Sequence, residues 1–225
     1  MDFRNDAQYK RAVMEDALVD LVYKEFGAFV MHGGTAVWRC YGGNRFSRDV
    51  DFYANLDPHS ESVLQKKMHK TLVDDSYQIT EEKYNNSTLT LHMIVRGYDT
   101  TGKLDITFAH AKGEAAEYAR VDGSKRIIYA LSPELILNEK IATYADKFKR
   151  GTAEIQDIYD MLVLKDRILD PEEKTLSALS KLLDVIEKKP PGNEKGLVNL
   201  LLGGAAPGFD YIVKTLRAWL NDNAK

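Results

Sequence analysis

Asp49 and Asp51, one residue apart in SRDVDFYA, place two carboxylates on the same face of any strand that carries them, with Val50 and Phe52 turned the other way. Two hard anionic oxygens side by side suit magnesium, which takes one or two protein carboxylates and completes its octahedron with water and phosphate oxygens. A third acid, Asp105 in KLDITFA, alternates in the same manner with Leu104, Ile106 and Phe108. Three neighbouring carboxylates without counter-ions raise one another's proton affinity, so the pattern implies bound cations. Asp49, Asp51 and Asp105 are therefore the candidate metal ligands and catalytic residues. With two magnesium ions about 3.5 to 4 Å apart, one ion activates an attacking hydroxyl and the other steadies the leaving group at phosphorus. Asp105 would help to deprotonate that hydroxyl.

The stretch before the acids supplies the rest of a phosphate site. Gly33 and Gly34 have no side chains, so a phosphate can approach their backbone, and a helix opening at Thr35 would turn its free amides toward the same anion. Arg39, Arg45 and Arg48 bring guanidinium forks that match phosphate oxygens in pairs, and Ser47 adds a hydroxyl. Alone, paired glycines make turns, acid-x-acid ends strands, and arginine clusters cover solvated faces. It is their order that points to a nucleoside triphosphate: strand, Gly-Gly, short helix, loop, acid-x-acid strand, later acid. The candidate phosphate contacts are Gly33, Gly34, Thr35, Arg39 and Ser47.

Elements must hold these residues. Apolar spacing over Asp6 to Phe26 predicts an amphipathic helix ended by Gly27, and AFVM reads as a short buried strand stopping at Gly33. TAVWRCY opens a short helix with Thr35 as its cap, and DVDFYA is a strand. His59 to Leu72 is helical. Tyr77 to Tyr84 and Thr88 to Val95 are strands joined by an Asn85-Asn86 turn, and a loop over Arg96 to Gly102 leads into KLDITFA. From Ser132, a cap followed by Pro133, the pattern is helical: about 133–149, 153–167, 172–187, 194–202 and 208–221. The expected domains are thus 1–131, an α/β core with its N-terminal helix, and 132–225, a helical domain, with a cleft between them as a place for ligands. Trp38, Tyr41 and the stripe Leu176, Leu179, Leu182, Leu183, Val185 read as core. His32 orients the glycine turn, and His92 and His110 read as structural.

In 225 residues, 44% hydrophobic and 29% charged, the composition is that of a globular protein with a sizeable core. One cysteine, Cys40, excludes an internal disulfide and points to a reducing compartment. There is no apolar run long enough for a bilayer, and Met1 to Lys10 is polar and unlike a signal peptide, so the expected location is cytoplasmic, with no membrane partner. A net charge of −3 gives no global attraction for nucleic acid, which would have to meet a local patch such as Arg39, Arg45 and Arg48.

His32-Gly33-Gly34-Thr35, Asp49-Val50-Asp51 and Leu104-Asp105-Ile106 resemble the signature of the nucleotidyltransferase superfamily with a DNA polymerase β-like core. HGGTAVWR, the Ser-Arg before Asp49, EKIATYADK and DIYDM resemble, more narrowly, the AbiEii/AbiGii nucleotidyltransferase toxins, including the MenT-type toxins. The resemblance implies an α+β fold, a mixed-sheet nucleotidyltransferase core with a C-terminal helical bundle. It also implies that Gly33, Gly34 and Ser47 touch nucleotide phosphates, that Asp49 and Asp51 hold magnesium, that Lys140 reaches the triphosphate, and that Asp157 completes the last motif. Members studied as toxins move nucleotides from a nucleoside triphosphate onto the 3′ end of tRNA, which blocks aminoacylation, and are neutralised by a cognate antitoxin; the family as a whole is wider than those cases. One position departs from the pattern: Gln156 stands where the family usually has arginine, with Lys147 and Arg150 near enough in sequence to supply charge.

The leading expectation is a magnesium-dependent transferase of nucleoside monophosphate to an acceptor hydroxyl, with tRNA as acceptor and an antitoxin as partner. A transferase acting on protein is its near variant. A nucleotidyltransferase fold without turnover, holding nucleotide or a partner protein, is the alternative of a different class, and Gln156 is its motive.

Overall fold

Asn5 starts the first helix by accepting the Gln8 amide on its side chain at 2.9 Å, and Gly27, at φ +49°, ends it, so α1 spans Asp6–Phe26. The computed structural model describes residues 1, 3–27, 29–55, 61–85, 87–95, 100–191 and 196–224. The chain forms two compact units, Met1–Cys40 with Phe46–Leu131 and Tyr41–Arg45 with Ser132–Lys225.

In the first unit α1 is followed by β1 (Phe29–His32), α2 (Gly33–Arg39), β2 (Asp49–Ala54), α3 (Glu61–Asp74), β3 (Tyr77–Asn85), β4 (Thr88–Val95), β5 (Thr101–Thr107), β6 (Glu114–Ala119) and β7 (Lys125–Ala130). The strands make one sheet in the order β3-β4-β5-β2-β1-β7-β6. β2 runs parallel to β5 and β1 to β7, and the other neighbours are antiparallel. Alternation sorts its two faces: Val50, Phe52 and Ala54 of β2 and Leu104 and Ile106 of β5 are fully buried, while Asp49, Asp51 and Asp105 are partly exposed. α1 covers the apolar face. Tyr23 meets Phe52 edge-on at 5.6 Å, and a side chain at Gly102 would collide with Met14. Leu64, Met68 and Leu72, four residues apart, are the buried stripe of α3, which packs on β3.

Several boundaries differ from the sequence pattern. α2 opens at Gly33, not Thr35, and the Thr35 hydroxyl donates to the Asp49 carbonyl at 2.5 Å instead of capping the helix. β5 already begins at Thr101. β6 and β7 were not anticipated: EAAEYA is small and charged and buries only Ala116 and Tyr118, so it lacks the branched and aromatic pattern of a strand. His59, Asn86, residues 96–99 and Gly192 lie outside the described residues.

The second unit contains α4 (Pro133–Lys149), α5 (Ile155–Lys165), α6 (Glu173–Ile186), α7 (Gly196–Leu200) and α8 (Phe209–Asn223). Ser132 accepts the Leu135 amide and Pro133 occupies the first turn of α4, where its missing N–H is harmless. α6 buries Leu179, Leu182, Leu183 and Ile186, whereas Val185 is half exposed and does not belong to the stripe assigned to it. α8 answers with Ile212, Val213, Leu216 and Leu220. The Tyr41–Arg45 segment is tied into this unit by backbone. The Asn44 carbonyl accepts from Leu202 N at 3.0 Å, Arg45 bridges Leu201, and Arg167 Nε donates to the Tyr41 carbonyl at 3.0 Å. Among the described residues, no helix is long and apolar enough to cross a membrane.

Candidate active site

The strand register brings the three acids together. Asp51 is the register partner of Asp105 on β5 and of His32 on β1, and Thr90 on β4 stands opposite Asp105, so Thr90, Asp105, Asp51 and His32 form one row across four strands. The next row along the sheet is His92, Lys103 and Asp49. His92 is therefore on the same face as the acids, partly exposed and 3.7 Å from Glu81. His32 stacks on Tyr53 with ring centroids 4.1 Å apart.

Gly33 ends β1 at φ +70°, a conformation other residues avoid. A Cβ there would lie within collision distance of Asp51 Oδ2 and 2.8 Å from its Cγ, so the bare Cα is what lets the carboxylate sit at this corner. Gly34 is buried at the start of α2, and Ser47 is buried two residues before Asp49.

A cation is already present in the row. Lys103 Nζ donates to Asp105 Oδ2 at 2.6 Å and lies 3.5 Å from Asp49 Oδ2, while the Thr90 hydroxyl donates to Asp105 Oδ1 at 2.6 Å. Partial burial pulls the Lys103 pKa down, but the hydrogen bond to Asp105 and the charges of Asp49, Asp105 and Asp51 outweigh it, and the net shift is upward. Lys103 stays an ammonium. The sequence carried this signal, because KLD puts Lys103 and Asp105 on one face of the strand. Arg11 of α1 was also missed: it pairs with Glu15 at 3.8 Å and feels the charge of Asp49.

The arginines do not assemble as expected. Arg39 is buried: its guanidinium lies 3.1 Å from Asp16 Oδ1, donates to the Ala12 and Ala119 carbonyls at 3.2 Å, and sits 3.8 Å over the Trp38 ring. Arg45 belongs to the second unit, where it grips Asp160 with two hydrogen bonds of 2.5 Å. Arg48 is exposed. The proposed patch of Arg39, Arg45 and Arg48 is thus not a patch, because two of its members are interior ion-pair partners. Thr35 is buried, and its hydroxyl donates to the Asp49 carbonyl, which fastens α2 to the start of β2.

In the second unit, α4 and α5 share a buried ladder of charge. Lys140 Nζ lies 3.1 Å from Asp157 Oδ1 and 2.8 Å from Asp160 Oδ2, and Lys147 Nζ lies 2.8 Å from Asp157 Oδ2. Burial raises the Asp157 pKa, but the charges and hydrogen bonds of Lys140 and Lys147 prevail and hold it below the usual carboxylate value. Burial lowers the Lys140 pKa, and Asp160 and Asp157 more than restore it. Lys147 thus meets Asp157, while Arg150 turns to Asp146 at 2.6 Å on the surface and Gln156 to Glu154 at 2.9 Å.

Among the described residues, no three His, Cys, Asp or Glu side chains close into a metal cage. Magnesium does not need one. It binds through one or two carboxylates and takes its remaining ligands from water and phosphate, which Asp49 and Asp51 fit.

Residues 16–206 match the family described as nucleotidyl transferase AbiEii toxin, type IV TA system. No curated protein sequence matches the chain. Among solved structures, MenT4, a nucleotidyltransferase toxin of Mycobacterium tuberculosis H37Rv, is similar at 18% identity over 97% of this chain and 86% of that one, with a TM-score of 0.62. A nucleotidyltransferase of H. pylori is similar at 16% identity over 94% of each chain, TM-score 0.60, and JHP933 from Helicobacter pylori at 18% over 94% of this chain and 91% of that one, TM-score 0.57. At such identities the structures speak for the fold, while the family match spans most of the sequence. The chain belongs to the AbiEii nucleotidyltransferase toxin family of type IV toxin–antitoxin systems.

Proposed function

We propose that this nucleotidyltransferase depends on magnesium, acts in the cytoplasm, and moves a nucleoside monophosphate from a nucleoside triphosphate onto the 3′ end of tRNA, with a cognate antitoxin as its partner. The observation that carries the site is the register of Asp51 opposite Asp105 beside a Gly33 that leaves no room for a side chain. Asp49 and Asp51 would hold magnesium, which when bound supplies Lewis-acid polarisation and neutralises phosphate charge.

The chain's own residues do the positioning. Gly33 and Gly34 let phosphate oxygens approach the backbone, and Ser47 lies next to the strand that carries the acids. The acceptor hydroxyl forms a bond to the α-phosphorus, the bond from that phosphorus to the bridging oxygen breaks, pyrophosphate leaves, and the hydroxyl proton passes to the carboxylate row. In-line attack by a held acceptor needs little else from a protein than placement and charge compensation. Lys140 and Asp157 enter on the second unit alone. Lys140 has three N–H donors and gives two to Asp157 and Asp160, and the third is proposed for a phosphate oxygen.

The test is incubation with magnesium, each labelled nucleoside triphosphate and total RNA. Label in the tRNA fraction, lost in Asp51→Asn, is the expected result. Label appearing only on added protein would move the acceptor class, and no transfer to either would overturn the proposal.

A further inference from the structure

We infer that Lys103 is the resident counter-ion of the carboxylate row and that it limits the nucleotide-free row to one divalent cation, held by Asp49 and Asp51. The inference rests on the carboxylate site proposed above and adds its stoichiometry. Both oxygens of Asp105 already accept: Oδ2 from Lys103 at 2.6 Å and Oδ1 from Thr90 at 2.6 Å. A metal bound to Asp105 would have to share an oxygen with one of these donors and stand beside an ammonium. Lys103 sits two residues before Asp105 on the same strand and projects from the same face, which keeps its ammonium within reach of Asp105 and Asp49. Its side chain is only 29% exposed, against 43% for Asp49.

Charge gives the same answer. Within the row itself, three carboxylates and one ammonium leave two negative charges, which one divalent ion neutralises. Asp49 and Asp51 lie on one strand face, and Asp51 is packed against the Gly33 corner. Asp105 then becomes a positioning residue, which orients Lys103 through one oxygen and is itself oriented by Thr90 through the other.

The experiment titrates Mn2+ into the full, nucleotide-free chain and reads the free ion by its paramagnetic resonance signal. The parent protein is expected to take up one Mn2+. Lys103→Met is expected either to admit a second ion or to bind the first about tenfold tighter, the scale on which one unit charge acts on a divalent ion a few ångströms away even in water. Lys103→Gln removes the same charge and serves if the methionine variant does not fold. Two ions in the parent, or a Lys103 variant with unchanged number and affinity, would overturn the inference while leaving the site intact. Uptake that survives Asp51→Asn, or no uptake in parent and variant alike, would instead remove the carboxylate site itself.

Discussion

Gly33 and Asp51 fit each other like a joint: the glycine's Cα surrenders its substituent to the aspartate's carboxylate, and the backbone at φ +70° admits no easy alternative residue. Gly33→Ala should therefore be felt twice. The left-handed conformation costs about 1–3 kcal/mol in stability, and displacing Asp51 by an ångström costs about a hundredfold in transfer rate. Urea unfolding and a labelled-nucleotide transfer assay measure the two losses separately, and an alanine variant with parental activity would show that the corner is not used.

Asp160 holds two cations in the interior, Arg45 through both its oxygens and Lys140 through one. Asp160→Ala leaves both uncompensated and should destabilise by about 3–5 kcal/mol, the usual cost of breaking a buried pair from one side. Thermal and urea unfolding read this directly. Asp157→Asn should differ in its pH signature. Because the folded pKa of Asp157 is depressed, its stabilisation is present above the unfolded value near 3.8 and is lost as the pH falls through the folded value. The variant should therefore show a shallower loss of stability in acid than the parent.

Glu15 runs the other way. It is fully buried on α1 with neither carboxyl oxygen hydrogen-bonded among the described residues, and burial raises its pKa well above 4.5. The folded state thus keeps a proton that the unfolded state gives up, so stability falls as pH rises above about 4.5. Glu15→Gln cannot titrate and should lose that slope, with the gain over the parent growing toward neutral pH. Chemical unfolding at a series of pH values decides it.

Arg39 offers a discriminating variant. If its guanidinium is structural, Arg39→Gln should lower the melting temperature, because Asp16 loses its cation, and leave the KM for nucleoside triphosphate in the remaining folded enzyme near the parental value. A raised KM with unchanged stability would return Arg39 to the nucleotide.

Local patterns carried the acids and failed the arginines for one reason. The common face of Asp49, Asp51 and Asp105 follows from alternation within six or seven residues, and the helices from Asp6 and Pro133 are announced by Asn5, Gly27 and Ser132. Arg45 finds its partner 115 residues away, and Arg39 closes on an aspartate of a different helix, so nothing near either residue foretells that it will be buried. Lys103 lay within reach of the same alternation. Alternation puts it on the face of the acids, but its approach to Asp49 depends on the pairing of β2 with β5, which no local pattern shows. β6 escaped because its small and charged residues gain their strand from pairing with β7, not from their own pattern.

The Tyr41–Arg45 thread means that the polypeptide enters the helical unit, returns to the sheet, and enters the helices a second time after Leu131. Severing the chain at that last passage would yield a first fragment trailing a stranded arginine and a second whose Asp160 has lost its clasp. The helical half, deprived of that segment, should be recoverable as folded protein only when produced together with the first.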